Sequence, residues 1–295
     1  MKINILSIYI FTSILLSTTF QTRWGDCTIN NINTSISNQE LINQINLNII
    51  SLDSIYGNTP KKNFQITVAS KNLSHIKHNH WKWSLGITYT NPDRIIIKDP
   101  GFAKISKKKF NQVLKHELSH IMMNRFNMVQ SIPRWFKEGF AMNEANEISL
   151  NHKILVAKNI QNNNLFNINK YNNFNNFNRI EFNLAYAISA VSIVAIKKMY
   201  GDDIIHEIIY NIKKNHAFNI SFLNSTGQSL DQFNNNFYNF IKREYFWFKL
   251  INLPKNIFAL MPLLLVIGFY IKSKKNKQIK QQWEIEEQLE DLEQL

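Results

Sequence analysis

The sequence contains a single cysteine, Cys27, so no disulfide can form within the chain. A bacterial lipoprotein signal has small and apolar residues directly before its cysteine. Here Trp24, Gly25 and Asp26 occupy those positions, which excludes lipid attachment at Cys27. Without an intrachain disulfide, a packed core must hold the fold, and the hydrophobic content of 44% allows one to form. The length of 295 residues is enough for one large domain or two small ones.

The sequence also lacks any nucleic-acid-binding motif, although its formal net charge is +13. The lysines and arginines are scattered, and several lie at the ends of apolar segments. We therefore interpret the charge as a solvated basic surface near anionic lipid or an anionic cell wall, with no nucleic-acid partner.

Two apolar runs lie near the ends of the chain. Residues 1–20 begin with Lys2 and then continue apolar, as in a signal peptide or an uncleaved signal anchor. Near the other end, the apolar run 257–271 is followed at once by the lysine-rich run 272–277. This pattern predicts a transmembrane helix over 255–272 whose C-terminal side is cytoplasmic.

These two segments predict the domain organisation. Residues 21–250 form one exported domain, and residues 273–295 form a cytoplasmic tail with apolar residues near helical spacing. The protein would then be a single-pass cell-membrane protein with its main domain outside the cytoplasm. The tail helix either binds a cytoplasmic partner or remains solvated.

The exported region has the pattern of an α+β domain, in which a helix and a few strands precede further helices. Helices are predicted at 38–57, 107–124, 182–201, 202–215 and 229–248, and strands at 64–70, 85–90 and 94–99. The Asn-rich segment 162–178 predicts a polar loop. The apolar stretch 182–200 is interpreted as a buried core helix and not as a second span.

The segment HELSH, residues 116–120, carries the chemical signal. In a helix, His116 and His120 lie on one face about a turn apart, so both imidazoles can point at one zinc ion. Glu117 lies beside them and can act as general base on a zinc-bound water. The competing interpretation is a surface histidine pair on an ordinary helix. The strand 94–99 precedes this helix, and as an edge strand it could pair with an extended peptide.

A third ligand is expected from the segment SIPRWFKEGFAMNEA, residues 131–145. Pro133 would begin a helix there, and Glu138 follows His120 by 18 residues. Such a helix could bring the carboxylate of Glu138 to the open zinc position.

Other candidate ligands fit less well. Metzincin zinc sites need Gly and His where this chain has Met123 and Phe126, so that class is excluded. Glu144 and Glu147 are interpreted as surface charges. A loose histidine cluster fits no standard zinc spacing and is interpreted as part of a solvated loop: His75, His78 and His80.

Together, HELSH and PRWFKEGFA resemble the gluzincin metallopeptidases, in particular the peptidase MA-like families related to the M1 aminopeptidases. Those families carry HExxH followed by a Trp-x-x-Glu-Gly-Phe/Leu-Ala segment. The matching residues here are Trp135, Glu138, Gly139, Phe140 and Ala141. The resemblance covers about residues 60–245.

The resemblance implies a gluzincin (thermolysin-like) domain, with a small mixed sheet followed by a helical part and a peptide or protein as substrate. It implies zinc ligands His116, His120 and Glu138, with Glu117 as the catalytic base. Tyr186 lies in the region that resembles the family's following helix and is the candidate for stabilising the oxyanion. No Gly-x-Met-x-Asn segment, which anchors a substrate amino terminus in M1 enzymes, precedes HELSH. The alternative function is a non-catalytic, peptidase-like binding or scaffold protein at the cell surface.

Overall fold

The computed structural model of the chain describes residues 17–31, 34–70, 83–126, 132–160, 167–174, 176–214, 217–248 and 261–293. The chain divides into two compact units, residues 1–246 and residues 247–295. The first unit contains the sheet and the HELSH segment, and the second contains the C-terminal helix.

The first unit is built on a five-stranded mixed sheet. Its strands are β1 Ser17–Thr22, β2 Gly25–Asn31, β3 Phe64–Ala69, β4 Gly86–Thr90 and β5 Asp93–Lys98. The spatial order is β1-β2-β3-β5-β4, with parallel pairing at the centre and antiparallel pairing at both edges. The register places Ile66 between Ile29 and Ile95, and all three side chains are fully buried.

The edge strand beside the HELSH helix is β4. The prediction that residues 94–99 form an edge strand is therefore wrong, because β5 lies between β3 and β4. The consecutive buried residues Ile95, Ile96 and Ile97 explain this position, since a strand covered on both faces needs apolar side chains at successive places. β4 is partly exposed along its length. Its outer edge pairs with no other strand of the described residues.

The strands β1 and β2 have no counterpart in the sequence-based assignment. They form an antiparallel hairpin in which Cys27 and Ile29 are buried, while the alternate residues Asp26, Thr28 and Asn30 are polar. β1 begins at Ser17, so the end of the proposed signal segment 1–20 takes part in the sheet. Residues 1–16 lie outside the described part, and the signal segment stays a prediction.

The remaining elements of the first unit are helical. They are α1 Asn38–Tyr56, α2 Pro100–Ala103, α3 Lys107–Phe126, α4 Arg134–Glu144, α5 Leu150–Ile160, α6 Arg179–Tyr200, α7 Ile204–Lys213, α8 Phe218–Thr226 and α9 Leu230–Glu244. α3 packs on β4 and β5, and α4 packs against both α3 and α6. The predicted α+β architecture, a small mixed sheet followed by a helical part, is confirmed.

The helix α6 is long and apolar enough to cross a membrane by length and composition, and it is the one described helix that meets this test. Most of its apolar window is buried within the unit, as expected for a core helix. Asn178 caps it: its Oδ1 accepts the backbone N–H groups of Ile180 and Glu181. A cap of this kind stabilises a helix by about 1 kcal/mol. The described part of the Asn-rich segment, residues 167–174 and 176–178, contains a short 3₁₀ helix, Ile168–Asn172, and ends in this cap.

The second unit contains helix α10, Met261–Glu293. Its first turns, from Met261 to Ile271, expose large apolar side chains, and the lysine-rich run follows on the same helix. The proposed transmembrane helix 255–272 is described only from Met261, so it stays a prediction, as does the cytoplasmic location of the tail.

Candidate metal centre

Helix α3 supplies the two histidines. Leu114, Leu118 and Ile121 are fully buried and fix one face of the helix against the core. On the adjoining face, the Nε2 atoms of His116 and His120 are 3.2 Å apart. The four-residue spacing therefore directs both imidazoles to one point, as the helical repeat requires.

Helix α4 supplies the carboxylate. It begins after Pro133, and Gly139 allows it to pack tightly on α6, where a Cβ at this position would clash with the carbonyl oxygen of Ser189. The Oε2 atom of Glu138 then lies 3.5 Å from Nε2 of His116 and 3.4 Å from Nε2 of His120. The three predicted ligand side chains are thus brought together.

The donor atoms fit a divalent metal ion. Glu138 Oε2 is buried and has no hydrogen-bond partner among the described residues, which is costly unless another ligand satisfies the carboxylate. Tetrahedral zinc with ligands at about 2.0–2.1 Å separates its donor atoms by about 3.3–3.4 Å. The three separations in the structure, 3.2, 3.4 and 3.5 Å, match that spacing. Two histidines and one carboxylate are also a common donor set for zinc.

A second carboxylate orients His116. Oε2 of Glu147 lies 2.8 Å from Nδ1 of His116, and Nζ of Lys109 donates to Oε1 of Glu147 at 2.7 Å. A carboxylate in this position fixes the ring and its tautomer, so that Nε2 is left to face the metal. On the other ligand, Nε of Arg134 donates to Oε1 of Glu138 at 3.1 Å.

The interpretation of Glu144 and Glu147 as surface charges is wrong. Glu144 is buried, and its Oε1 accepts a hydrogen bond from the hydroxyl of Tyr56 at 2.6 Å. Glu147 is largely covered because the chain reverses just after α4, with Asn146 at a φ of 53°, and returns towards α3. This turn is a tertiary feature, and the acidic composition of the segment does not reveal it.

The carboxylates of Glu138 and Glu147 and the imidazole of His116 shift one another's pKa values. Burial lowers the pKa of His116, but the neighbouring carboxylates of Glu138, Glu147 and Glu117 outweigh this effect and raise the pKa to about 10. Burial raises the pKa of Glu138, but the nearby His120 and His116 hold it well below its usual value. A metal ion held by these side chains would need His116 neutral, so metal binding at this site would release a proton.

The side chain of Glu117 faces β4 and the groove. Its Oε2 accepts a hydrogen bond of 2.6 Å from the Thr88 hydroxyl. A Cβ at Gly86 would lie 2.6 Å from Glu117 Oε1, so glycine keeps the space that this carboxylate occupies. Burial raises the pKa of Glu117, and its histidine neighbours and Thr88 offset part of that increase. A buried carboxylate with a raised pKa suits proton transfer near neutral pH.

A family model described as the Peptidase MA superfamily matches residues 45–243. The chain belongs to the Peptidase MA superfamily. The predicted family is thereby confirmed, and the match includes helices α3 and α4 with all the residues of the centre described above.

Solved M1 zinc metallopeptidases also align with this member of the superfamily. The enzyme from Deinococcus radiodurans aligns at 11% identity and a TM-score of 0.47, and a point mutant of it at 12% and 0.47. Each alignment covers 75% of this chain and 51% of the solved chain, so this chain spans about half the length of those structures. No protein with a curated description matches.

In this protein, Tyr186 lies beside the candidate metal centre. This side chain lies on α6 among Phe174 and Phe182, with ring centroids 5.9 and 4.7 Å away. Burial, and then the charge of Glu138, raises the pKa of Tyr186 well above its usual value, so the phenol keeps its proton. The structure thus places Tyr186 where it was expected, and its catalytic role stays a prediction.

A groove crosses the centre and extends to both sides of it. Its two halves share five lining residues: Ser84, Gly86, Glu117, Phe182 and Tyr186. One half, here called the apolar half, continues along Trp83, Leu85, Val113 and Leu155. The other, here called the cationic half, continues along Thr88, Thr90, Asn124, Arg134, Lys137 and Asn172.

Sequence reasoning missed Gly86, Thr88, Glu147 and Lys109 as parts of the site. The alternation along β4 could have indicated the first two, because Gly86 and Thr88 lie on the same strand face. The histidine cluster at positions 75, 78 and 80 lies outside the described residues.

Proposed function

We propose that this protein is a membrane-anchored zinc metallopeptidase whose exported domain hydrolyses peptide bonds. The observation that carries the proposal is the buried carboxylate oxygen of Glu138, which lacks a hydrogen-bond partner among the described residues and faces the two Nε2 atoms of HELSH. Membership of a peptidase superfamily supports it.

The residues of the centre have distinct tasks. His116, His120 and Glu138 would hold zinc, which when bound polarises a peptide carbonyl and lowers the pKa of a water molecule to about 7. Glu117 would take a proton from the attacking water and deliver it to the leaving amine. Tyr186 would donate its phenolic hydrogen to the negative charge that develops on the carbonyl oxygen.

The groove suits an extended peptide. The outer edge of β4 pairs with no other strand among the described residues, so its backbone N–H and C=O groups could pair with a substrate strand and lay the peptide across Glu117. Because the groove continues on both sides of the centre, it can hold residues before and after the scissile bond. This geometry favours cleavage within a chain.

The membrane anchor is proposed from the sequence. A signal segment at 1–20 would export the domain, and the helix 255–272, followed by lysines, would hold the C-terminus in the cytoplasm. Protease added to intact cells should then digest the HELSH domain and spare a tag at Leu295. A digested tag with a protected domain would reverse the orientation.

The catalytic proposal is tested with the purified full chain in detergent. Wild-type protein should cleave a mixture of unstructured peptides, lose this activity to a chelator and regain it on addition of zinc. Glu117→Gln should bind zinc but cleave on the order of 10²–10⁴-fold more slowly, as expected for the loss of a general base. Zinc-loaded wild-type protein that cleaves no peptide would favour the alternative, a non-catalytic binding protein.

A further inference from the structure

The two halves of the groove differ in charge. In the apolar half, the carboxylate of Glu147 is paired with Lys109 and the remaining lining is largely uncharged. In the cationic half, Arg134 and Lys137 lie on successive turns of α4 and line the same wall. Substrate residues on the two sides of the scissile bond therefore meet different electrostatic surroundings.

The positive charge remains when the centre is loaded. The inference rests on the proposed function, in which His116, His120 and Glu138 would hold a divalent ion close to Glu117. The ion's two charges balance these two carboxylates. Arg134 and Lys137 are then left as the net charge of the cationic half, and a low-dielectric groove strengthens their field.

Lys137 is the group best placed to bind an anion. It is half-buried, and its Nζ donates to the neutral amide oxygen Oδ1 of Asn124 at 3.1 Å. No carboxylate of a described residue forms a salt bridge with it. A half-buried ammonium that lines the groove and makes no salt bridge with a described residue costs free energy, because water hydrates it only in part. A substrate carboxylate would provide that partner.

The strand direction indicates which substrate residue reaches Lys137. β4 runs from Gly86, shared by both halves, to Thr90 in the cationic half. Antiparallel pairing is the more stable of the two modes. A peptide paired in this way runs in the opposite direction, so its N-terminal part lies in the cationic half.

We propose that the cationic half, through Lys137 with Arg134 beside it, binds an acidic side chain on the N-terminal side of the scissile bond. The enzyme then cleaves within chains that carry Asp or Glu there. A free α-amino group in the same place meets like charges and is disfavoured, so the site is built for an endopeptidase.

The test is a digest of a proteome-derived peptide library by the zinc-loaded full chain, with the new termini identified by mass spectrometry. At low salt, Asp and Glu should be on the order of tenfold more frequent before the bonds that wild-type protein cleaves than in the library as a whole. This factor corresponds to the free energy of one charge-assisted hydrogen bond. High salt should reduce the enrichment. Lys137→Met should abolish it, and Lys137→Glu should shift the preference to Lys and Arg at the same position.

The control is Lys108→Met, which removes an exposed lysine of α3 outside the groove and should leave the profile unchanged. Zinc content and melting temperature are measured for each variant. If Lys137→Met folds poorly, the salt dependence of the wild-type profile decides. Three outcomes would each overturn this inference and leave the peptidase proposal standing. They are cleavage without acidic enrichment, enrichment that survives in folded Lys137→Met, and acidic residues confined to the C-terminal side of the cleaved bond. No cleavage at all would overturn both.

Discussion

Gly139→Ala tests the packing that places Glu138 in the centre. In an isolated helix this substitution stabilises, by about 1 kcal/mol, because alanine is the better helix former. In this protein the new Cβ would clash with the carbonyl oxygen of Ser189 and lie 2.7 Å from Cγ1 of Ile193. The obstructing oxygen belongs to the backbone of α6, so no rotation of a side chain relieves the contact.

The structure sets the expected magnitude. The Cβ would also lie 2.8 Å from the carbonyl carbon of Ser189, whereas ordinary contacts begin at 3.4 Å, so α4 and α6 must separate by more than half an ångström. Overpacking of this kind costs about 1–3 kcal/mol, and a backbone obstacle favours the upper end. After the gain in helix propensity, we expect a net loss of about 2 kcal/mol. For a domain of this size that corresponds to a melting temperature about 4–8 °C lower.

The displacement also moves the neighbouring Glu138. A misplacement of about 1 Å can cost a catalytic site 100-fold in rate, so we expect activity to fall by at least about tenfold and zinc affinity to weaken. Thermal denaturation, zinc titration and peptide cleavage measure the three effects. The matched control is Gly268→Ala in α10, where a Cβ meets nothing within 4 Å and the first unit should be unaffected. An unchanged or raised melting temperature for Gly139→Ala would refute the reasoning.

Three further changes test the groups around the centre. Thr88→Val removes the 2.6 Å hydrogen bond to Glu117 and should lower kcat about tenfold at full zinc content; an unaltered kcat would deny Thr88 a positioning role. Tyr186→Phe should lower kcat on the order of 10²-fold with little change in melting temperature, whereas full activity would leave Tyr186 a packing residue. In metal-free protein, the pKa of His116 is raised from 6.5 to about 10. Its stabilising contribution is complete below pH 6.5 and is lost as the pH rises through 10. Melting temperatures should fall across that range, and a flat profile would contradict the assignment.

The cluster of His116, His120 and Glu138 could be predicted because its geometry is mostly local. The spacing of His116 and His120 fixes their shared face on any helix, and the Trp-x-x-Glu-Gly segment identifies Glu138 through the family resemblance. The glycine of that segment also has a structural reason, the close contact with Ser189, which no local pattern shows. The same residues indicated the family, and the order of helices and strands along the chain indicated the α+β architecture.

The surroundings of the centre could not be predicted because they depend on tertiary contacts. Glu147 reaches His116 only through the reversal after α4, and the partner of Glu144 is Tyr56, far away in sequence. The order of β4 and β5 in the sheet depends on the pairing of β5 with β3. A sequence pattern predicts where strands occur, but it does not predict which strands pair with each other. β1 and β2 are short and largely polar, so their alternation was too weak to identify.

The zinc content of the purified full chain tests the central claim most directly. Elemental analysis should find about one zinc per wild-type chain. Glu117→Gln should keep it, because that carboxylate faces Thr88 and not the ligand atoms. Glu138→Gln should lose most of it. Glu144→Gln, a buried carboxylate on the same helix, is the control and should retain full zinc. Wild-type protein without zinc, or Glu138→Gln with full zinc while Glu144→Gln loses it, would contradict the account.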